Sequence, residues 1–224
     1  MEVKQDEILK ISSRQELRQW FVSNGLSEKC CWVVVSMREK ANTLLYLDVV
    51  EEALCFGWID STRKKMPDGT LIQRLSRRLK NGNWTELNKE RVRRLEYLGL
   101  MTDEGRKFLP EDMDVSQFTI HPTIMLALKS DPAVYENFVS FPPLYQRVRI
   151  DTIQSRLKRK EPEIFKRRLE KFLTCTRENK MYGEWNDNGR LLNYQDISTN
   201  PLGTAHLYKN LKLKDTFTQF RRLK

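Results

Sequence analysis

Every segment able to form a strand lies before residue 79, and every periodic segment after Pro122 is helical. That segregation constrains the fold more than any single motif. Strands followed by a run of helices favour an α+β architecture over a doubly wound sheet. The first strand is Cys31-Trp32-Val33-Val34-Val35-Ser36-Met37, whose β-branched run reads as a central strand covered on both faces. A second follows at Trp58-Ile59-Asp60-Ser61-Thr62, and a third at Thr70-Leu71-Ile72-Gln73-Arg74-Leu75. Between them, Met66-Pro67-Asp68-Gly69 is a turn signal, so residues 58–78 read as a hairpin.

Helices fill the spaces around these strands. Ser13-Arg14-Gln15-Glu16 has the form of a capping box, with Leu17, Trp20 and Phe21 at helical spacing behind it and Gly25 as a stop. Tyr46 to Phe56 places Tyr46, Val49, Val50, Ala53 and Leu54 on one face and turns Asp48, Glu51 and Glu52 outward. Thr85 opens a helix through Leu98, and Thr102 a short one before Pro110. Residues 111–121 read as a connector. Helices are then predicted over 123–128, 132–141, 143–160 and 162–176, three of them with proline in the first turn. The reading is an α+β domain over 1–110, built on a small antiparallel sheet with packed helices and a basic hairpin. A helical domain follows over 122–180 and a turn-rich tail over 181–224. A chain of 224 residues with 39% hydrophobic and 31% charged residues has room for these parts.

Charge is the main functional signal. Forty Lys and Arg stand against thirty Asp and Glu, a net +10. Arg63, Lys64, Lys65, Arg74, Arg77, Arg78 and Lys80 crowd the hairpin, and Arg91 and Arg94 follow on the next helix. Arg156, Arg159, Arg167 and Arg168 lie in a second basic stretch. Such groups neutralise phosphates, so an acidic partner, nucleic acid included, is expected. Trp58, Asp60, Arg74, Arg77, Arg78, Trp84 and Asn88 are the candidate ligand or phosphate residues, with Arg77 and Arg78 gripping phosphate and a tryptophan forming the floor.

Catalysis finds little support. There is no Ser-His-Asp arrangement, P-loop or Gly-rich dinucleotide motif, and neither His121 nor His206 makes a convincing partner for Asp60. The four cysteines (Cys30, Cys31, Cys55, Cys175) form no C-x-x-C pair and read as structural thiols. No metal and no cofactor is expected. Trp185-Asn186-Asp187-Asn188-Gly189-Arg190 reads as an ordinary turn. The charged N-terminus and the short apolar runs give no signal peptide and no membrane span, so the expected setting is cytoplasmic.

Ala53-Leu54-Cys55-Phe56-Gly57-Trp58-Ile59-Asp60 resembles the "ALCYGWID" motif of the YdeI/OmpD-associated, or bacteriocin-protection, family. Residues 74–88 resemble a second family block, with Leu75, Arg77 and Gly82 as departures, and 98–105 a third. The likeness extends more loosely to residue 180. It implies a CyaY/YjbR-like α+β fold in the first half and an association with envelope stress and bacteriocin tolerance. The expectation is therefore a non-catalytic protein that binds an acidic partner. Its rival is a small-molecule enzyme or sensor with a pocket around Asp60 and Arg78.

Overall fold

In the computed structural model, residues 7–195 are described. They fall into two compact units. Unit 1 comprises residues 7–82, 92–109 and 193–195, and unit 2 comprises 83–91 and 110–192. Residues 196–224, with His206 and most of the expected tail, lie outside the described residues.

Unit 1 is built on a sheet of five strands among the described residues: β1 (Ile8–Leu9), β2 (Cys30–Ser36), β3 (Leu44–Leu45), β4 (Trp58–Lys65) and β5 (Leu71–Arg77). The hairpin β4–β5 and the pairing of β5 with β2 are antiparallel. The two-residue strands β1 and β3 both pair with β2 in parallel, so the sheet is mixed rather than antiparallel throughout. Helix α1 (Arg14–Asn24) starts at Ser13, whose hydroxyl accepts from the Glu16 N–H. Glu16 in turn accepts from the N–H of Ser12 at 2.9 Å, one residue earlier than a standard capping box. Gly25 ends α1 with an ordinary right-handed φ of −61°.

Helices α1 and α2 (Tyr46–Cys55) cover one face of the sheet. Cys31, Val33 and Val35 from β2 meet Leu17, Phe21 and Val49 there, and each such buried side chain stabilises by about 1.5–3 kcal/mol. The residues between them on β2 (Cys30, Trp32, Val34, Ser36) are only partly buried. The β-branched run is therefore a one-sided strand, contrary to the expectation of cover on both faces. Between α2 and β4 the chain turns at Gly57, with φ of +73°, and a Cβ there would meet the Phe108 ring at 2.4 Å. Only glycine fits that turn.

Helix α3 (Glu86–Tyr97) contributes its first six residues to unit 2 and the remainder to unit 1. The short helix α4 (Asp103–Arg106) completes unit 1, capped by Thr102 as expected. Unit 2 continues through one 3₁₀ turn (Val115–Gln117) into α5 (Pro122–Lys129), α6 (Pro132–Ser140), α7 (Pro143–Lys158) and α8 (Pro162–Arg177). Each of these four starts at a proline, which has no N–H to leave unpaired in the first turn. Ile124, Leu128, Phe138, Tyr145, Ile150 and Phe172 form their common core.

Candidate functional site

Charged side chains in unit 1 divide into an interior set and a surface set. Glu51 and Glu52, expected to face outward, are 1% and 0% exposed. Arg14 reaches both, Nε to Glu52 at 2.7 Å and Nη1 to Glu51 at 2.7 Å, and also contacts Asp48 at 3.2 Å. Arg18 binds the other oxygen of Glu52 at 2.9 Å, and Arg94 binds the other oxygen of Glu51 at 2.9 Å. This network ties α1, α2 and α3 together. Arg94, placed by sequence on a basic surface, is therefore a buried structural cation.

Arg78 is buried as well, and Asp60 is its electrostatic partner. Burial lowers its pKa to about 10, and Asp60 pulls it back upward. Asp60 also accepts from the Tyr46 hydroxyl at 2.7 Å. Trp58 is 1% exposed, packs edge-on against Phe21 and donates its indole N–H to the Gly25 carbonyl at 3.2 Å. Together Trp58, Asp60 and Arg78 make a packed corner of the fold. Arg77, in contrast, is exposed, with Nη1 donating to the Leu26 carbonyl at 3.0 Å.

The other candidate cations of unit 1 sit on the hairpin or just after it. Arg63, Lys65 and Lys80 are exposed, while Lys64 and Arg74 are partly buried. Arg63 lies over the Tyr46 ring at 5.4 Å. The outer sheet face, opposite α1 and α2, carries the arrangement that sequence reading missed. Trp32 projects there, flanked in register by Ile8 on β1 and Arg74 on β5. The Lys64 ammonium stands 5.6 Å from the centre of its ring. Strand alternation around Trp32 was the available signal, because a one-sided strand turns that indole away from the core. An aromatic side chain with two cations beside it offers a stacking surface next to positive charge.

The cationic positions expected on α3 divide between the units. Trp84, Asn88 and Arg91 belong to unit 2. Arg91 is buried and makes a two-pronged bond to Asp187, at 2.6 and 2.7 Å, with Asn88 accepting from its third arm at 2.7 Å. It is not a surface residue. Asp187 itself adopts φ of +51° in the turn around residues 186–190. Nearby, Arg147 pairs with Glu90 at 3.0 Å and Lys89 with Glu86 at 3.0 Å. Asp151 accepts from the first backbone N–H of α3 at 3.1 Å, and burial, helped by the charge of Glu86, raises its pKa.

On α7 and α8 the second basic stretch remains at the surface. Arg159 and Arg167 are exposed; Arg156 and Arg168 are partly buried. Arg156 pairs with Glu161 at 2.8 Å. A separate cavity of about 400 Å³ opens in unit 1 beside Ile8, Ile11, Val34 and Met66, and neither Asp60 nor Arg78 lines it. Among the described residues, no group of three or more His, Cys, Asp and Glu is placed to hold a metal ion, and no helix is long and apolar enough to cross a membrane.

Fold and surface define an α+β protein with a helical second unit, cationic on a sheet face and on a helical hairpin. Residues 117–179 match the family model described as bacteriocin-protection, YdeI or OmpD-associated, and residues 9–108 match a domain of unknown function (DUF8412). The match to the bacteriocin-protection, YdeI or OmpD-associated family is thus confined to the helical part. The match falls where the sequence likeness was loosest, while the segment holding the "ALCYGWID"-like motif belongs to the other model. No curated protein and no solved structure matches the chain.

Proposed function

We propose that the chain is a non-catalytic binding protein for an acidic polymer, and that the polymer is single-stranded nucleic acid held on the outer face of the sheet. One observation carries this reading: on the outer face of β2, Trp32 has Arg74 beside it in register on β5 and the Lys64 ammonium of β4 at 5.6 Å from its ring centre. A base stacks on the indole, and the adjacent cations neutralise the phosphates beside it. By strand alternation Arg63, Lys65 and Arg77 project from the opposite face of the hairpin, so the outer-face field rests on Arg74 and Lys64. Arg78, Arg91 and Arg94 hold the fold instead of the ligand. A cytoplasmic setting and a tie to envelope stress and bacteriocin tolerance belong to the same proposal and rest on sequence and family likeness.

Anisotropy of a labelled single-stranded oligonucleotide over a salt series tests it. The expected affinity falls linearly with salt on logarithmic axes, and Arg74→Gln lowers that slope by about 0.7. Trp32→Ala weakens binding about 5- to 100-fold, the range for losing one stacked base. Salt-independent binding, or a Trp32→Ala protein that binds like wild type, removes the reading. The rival enzyme or sensor around Asp60 and Arg78 has weaker support, since both groups are taken up by structural partners.

A further inference from the structure

In unit 2, cations from α7 and α8 gather around a single tyrosine. Tyr182 follows α8, and its ring has the Lys171 ammonium 4.8 Å from its centre and the Arg149 guanidinium 5.4 Å away. Arg149 comes from α7, and its Nη2 donates to the Glu184 carbonyl. Gly183, at φ of +69°, lets the backbone pass this guanidinium: a Cβ there would lie 2.6 Å from Nη1. Arg168, one turn before Lys171, donates to the Thr152 carbonyl at 2.6 Å. Burial lowers the pKa of Arg168, the charges of Arg156 and Arg167 lower it further, and Glu161 and Tyr182 pull it partly back.

Like charges held this close cost free energy unless a counter-charge joins them. Along the stretch that carries Arg168 and Lys171, cations outnumber acids. Residues 156–171 hold eight Lys and Arg but only Glu161, Glu163 and Glu170 as acids, and Glu161 is engaged by Arg156. Arginine forks beside a lysine are a donor set that a phosphate group takes. We infer that the collar of Arg149, Arg168 and Lys171 around Tyr182 is a phosphate-binding site in unit 2. The ligand chemistry is a phosphate oxyanion, either a free polyphosphate or the backbone of a nucleic acid. The site stands independently of the sheet face, in other residues and in the other unit.

Two probes applied to the full chain test it. The first is sodium pyrophosphate in a thermal melt, with sodium chloride at matched ionic strength as the control. The expected result is a dose-dependent rise of about 2 °C or more at about 10 mM, present in wild type and lost in Lys171→Gln. Arg168→Gln is expected to lose it too. Should that variant melt early through loss of the Thr152 contact, Arg168→Lys keeps the charge and removes the fork. The second probe is a single-stranded oligonucleotide, for which Lys171→Gln lowers the salt slope by about 0.7 if backbone phosphate occupies the collar. A pyrophosphate effect without that slope change assigns the site to a free phosphate, and both effects assign it to a backbone. If pyrophosphate does no more than sodium chloride, or the Lys171→Gln protein responds as wild type does, the assignment is overturned.

Discussion

Glu52→Gln is the sharpest test of the charge network between α1 and α2. The wild-type carboxylate is fully buried and accepts from Arg14 Nε at 2.7 Å and from Arg18 Nη1 at 2.9 Å. The amide is nearly the same size, so packing changes little. It removes the counter-charge, however, and its NH₂ group must face one of two guanidinium donors. Hydrogen bonds to charged groups contribute about 1.5–3 kcal/mol each, and breaking a buried pair costs about 3–5 kcal/mol. Arg14 keeps Glu51 and Asp48, and Arg18 keeps the Leu100 carbonyl at 2.7 Å, which holds the cost toward the lower end. The expected loss is about 3 kcal/mol. Equilibrium urea unfolding followed by circular dichroism measures it directly. Glu104→Gln is the control, because the Lys107–Glu104 pair is exposed and its removal should cost within about 0.5 kcal/mol. An Arg14→Leu, Glu52→Leu double variant completes the cycle and is expected to lose less than the sum of its two single changes. A Glu52→Gln cost equal to that of the control would refute the argument that this carboxylate is desolvated and paired.

Two further predictions concern titrating groups. Burial raises the Asp151 pKa above that of the unfolded chain, about 3.9, so the folded state holds this proton more tightly and wild type loses stability from this group as pH rises through the carboxylate range. Lys89 and Lys158 oppose the shift without reversing it. Asp151→Asn keeps an oxygen for the Glu86 N–H, so its stability relative to wild type should improve between pH 4 and pH 7 in paired urea melts, and a pH-independent difference would contradict this. Burial also pushes the Cys31 thiol up to about 12 and the Cys55 thiol higher still, whereas Cys30 and Cys175 are partly exposed. A thiol reagent on native protein at pH 8 should therefore label Cys30 and Cys175 first; early modification of Cys55, located by peptide mass mapping, would contradict the packing of α2.

The hairpin and the proline-led helices were legible because their signals are local. Met66-Pro67-Asp68-Gly69 sets a turn within four residues, and Pro132, Pro143 and Pro162 each stand at the first position of a helix. Strands β1 and β3 were not legible, since two residues carry no period. The direction of Glu51 and Glu52 was misread for a different reason. Charge on a helix ordinarily marks its wet face, and the cations that overrule this lie 37 residues earlier, at Arg14, and 43 residues later, at Arg94. The same blindness put Arg91 and Arg94 on the surface. Basic residues could be counted from the sequence, but their neutralisation by Asp187 and Glu51 depends on pairs that only folding creates. Trp32 was within reach of alternation, and went unread because an unbroken β-branched run suggests cover on both faces.

The passage of α3 through both compact units bears on how the protein can be dissected. The two matched segments, 9–108 and 117–179, suggest a clean scissor line near residue 112. A fragment starting there would leave Glu86, Glu90 and Arg91 behind. Arg147 would then face an absent carboxylate, Asp151 would have no amide to accept from, and Asp187 would sit inside without its guanidinium. A soluble helical fragment therefore has to begin upstream of Asn83, within what the sequence alone assigns to the sheet-bearing half.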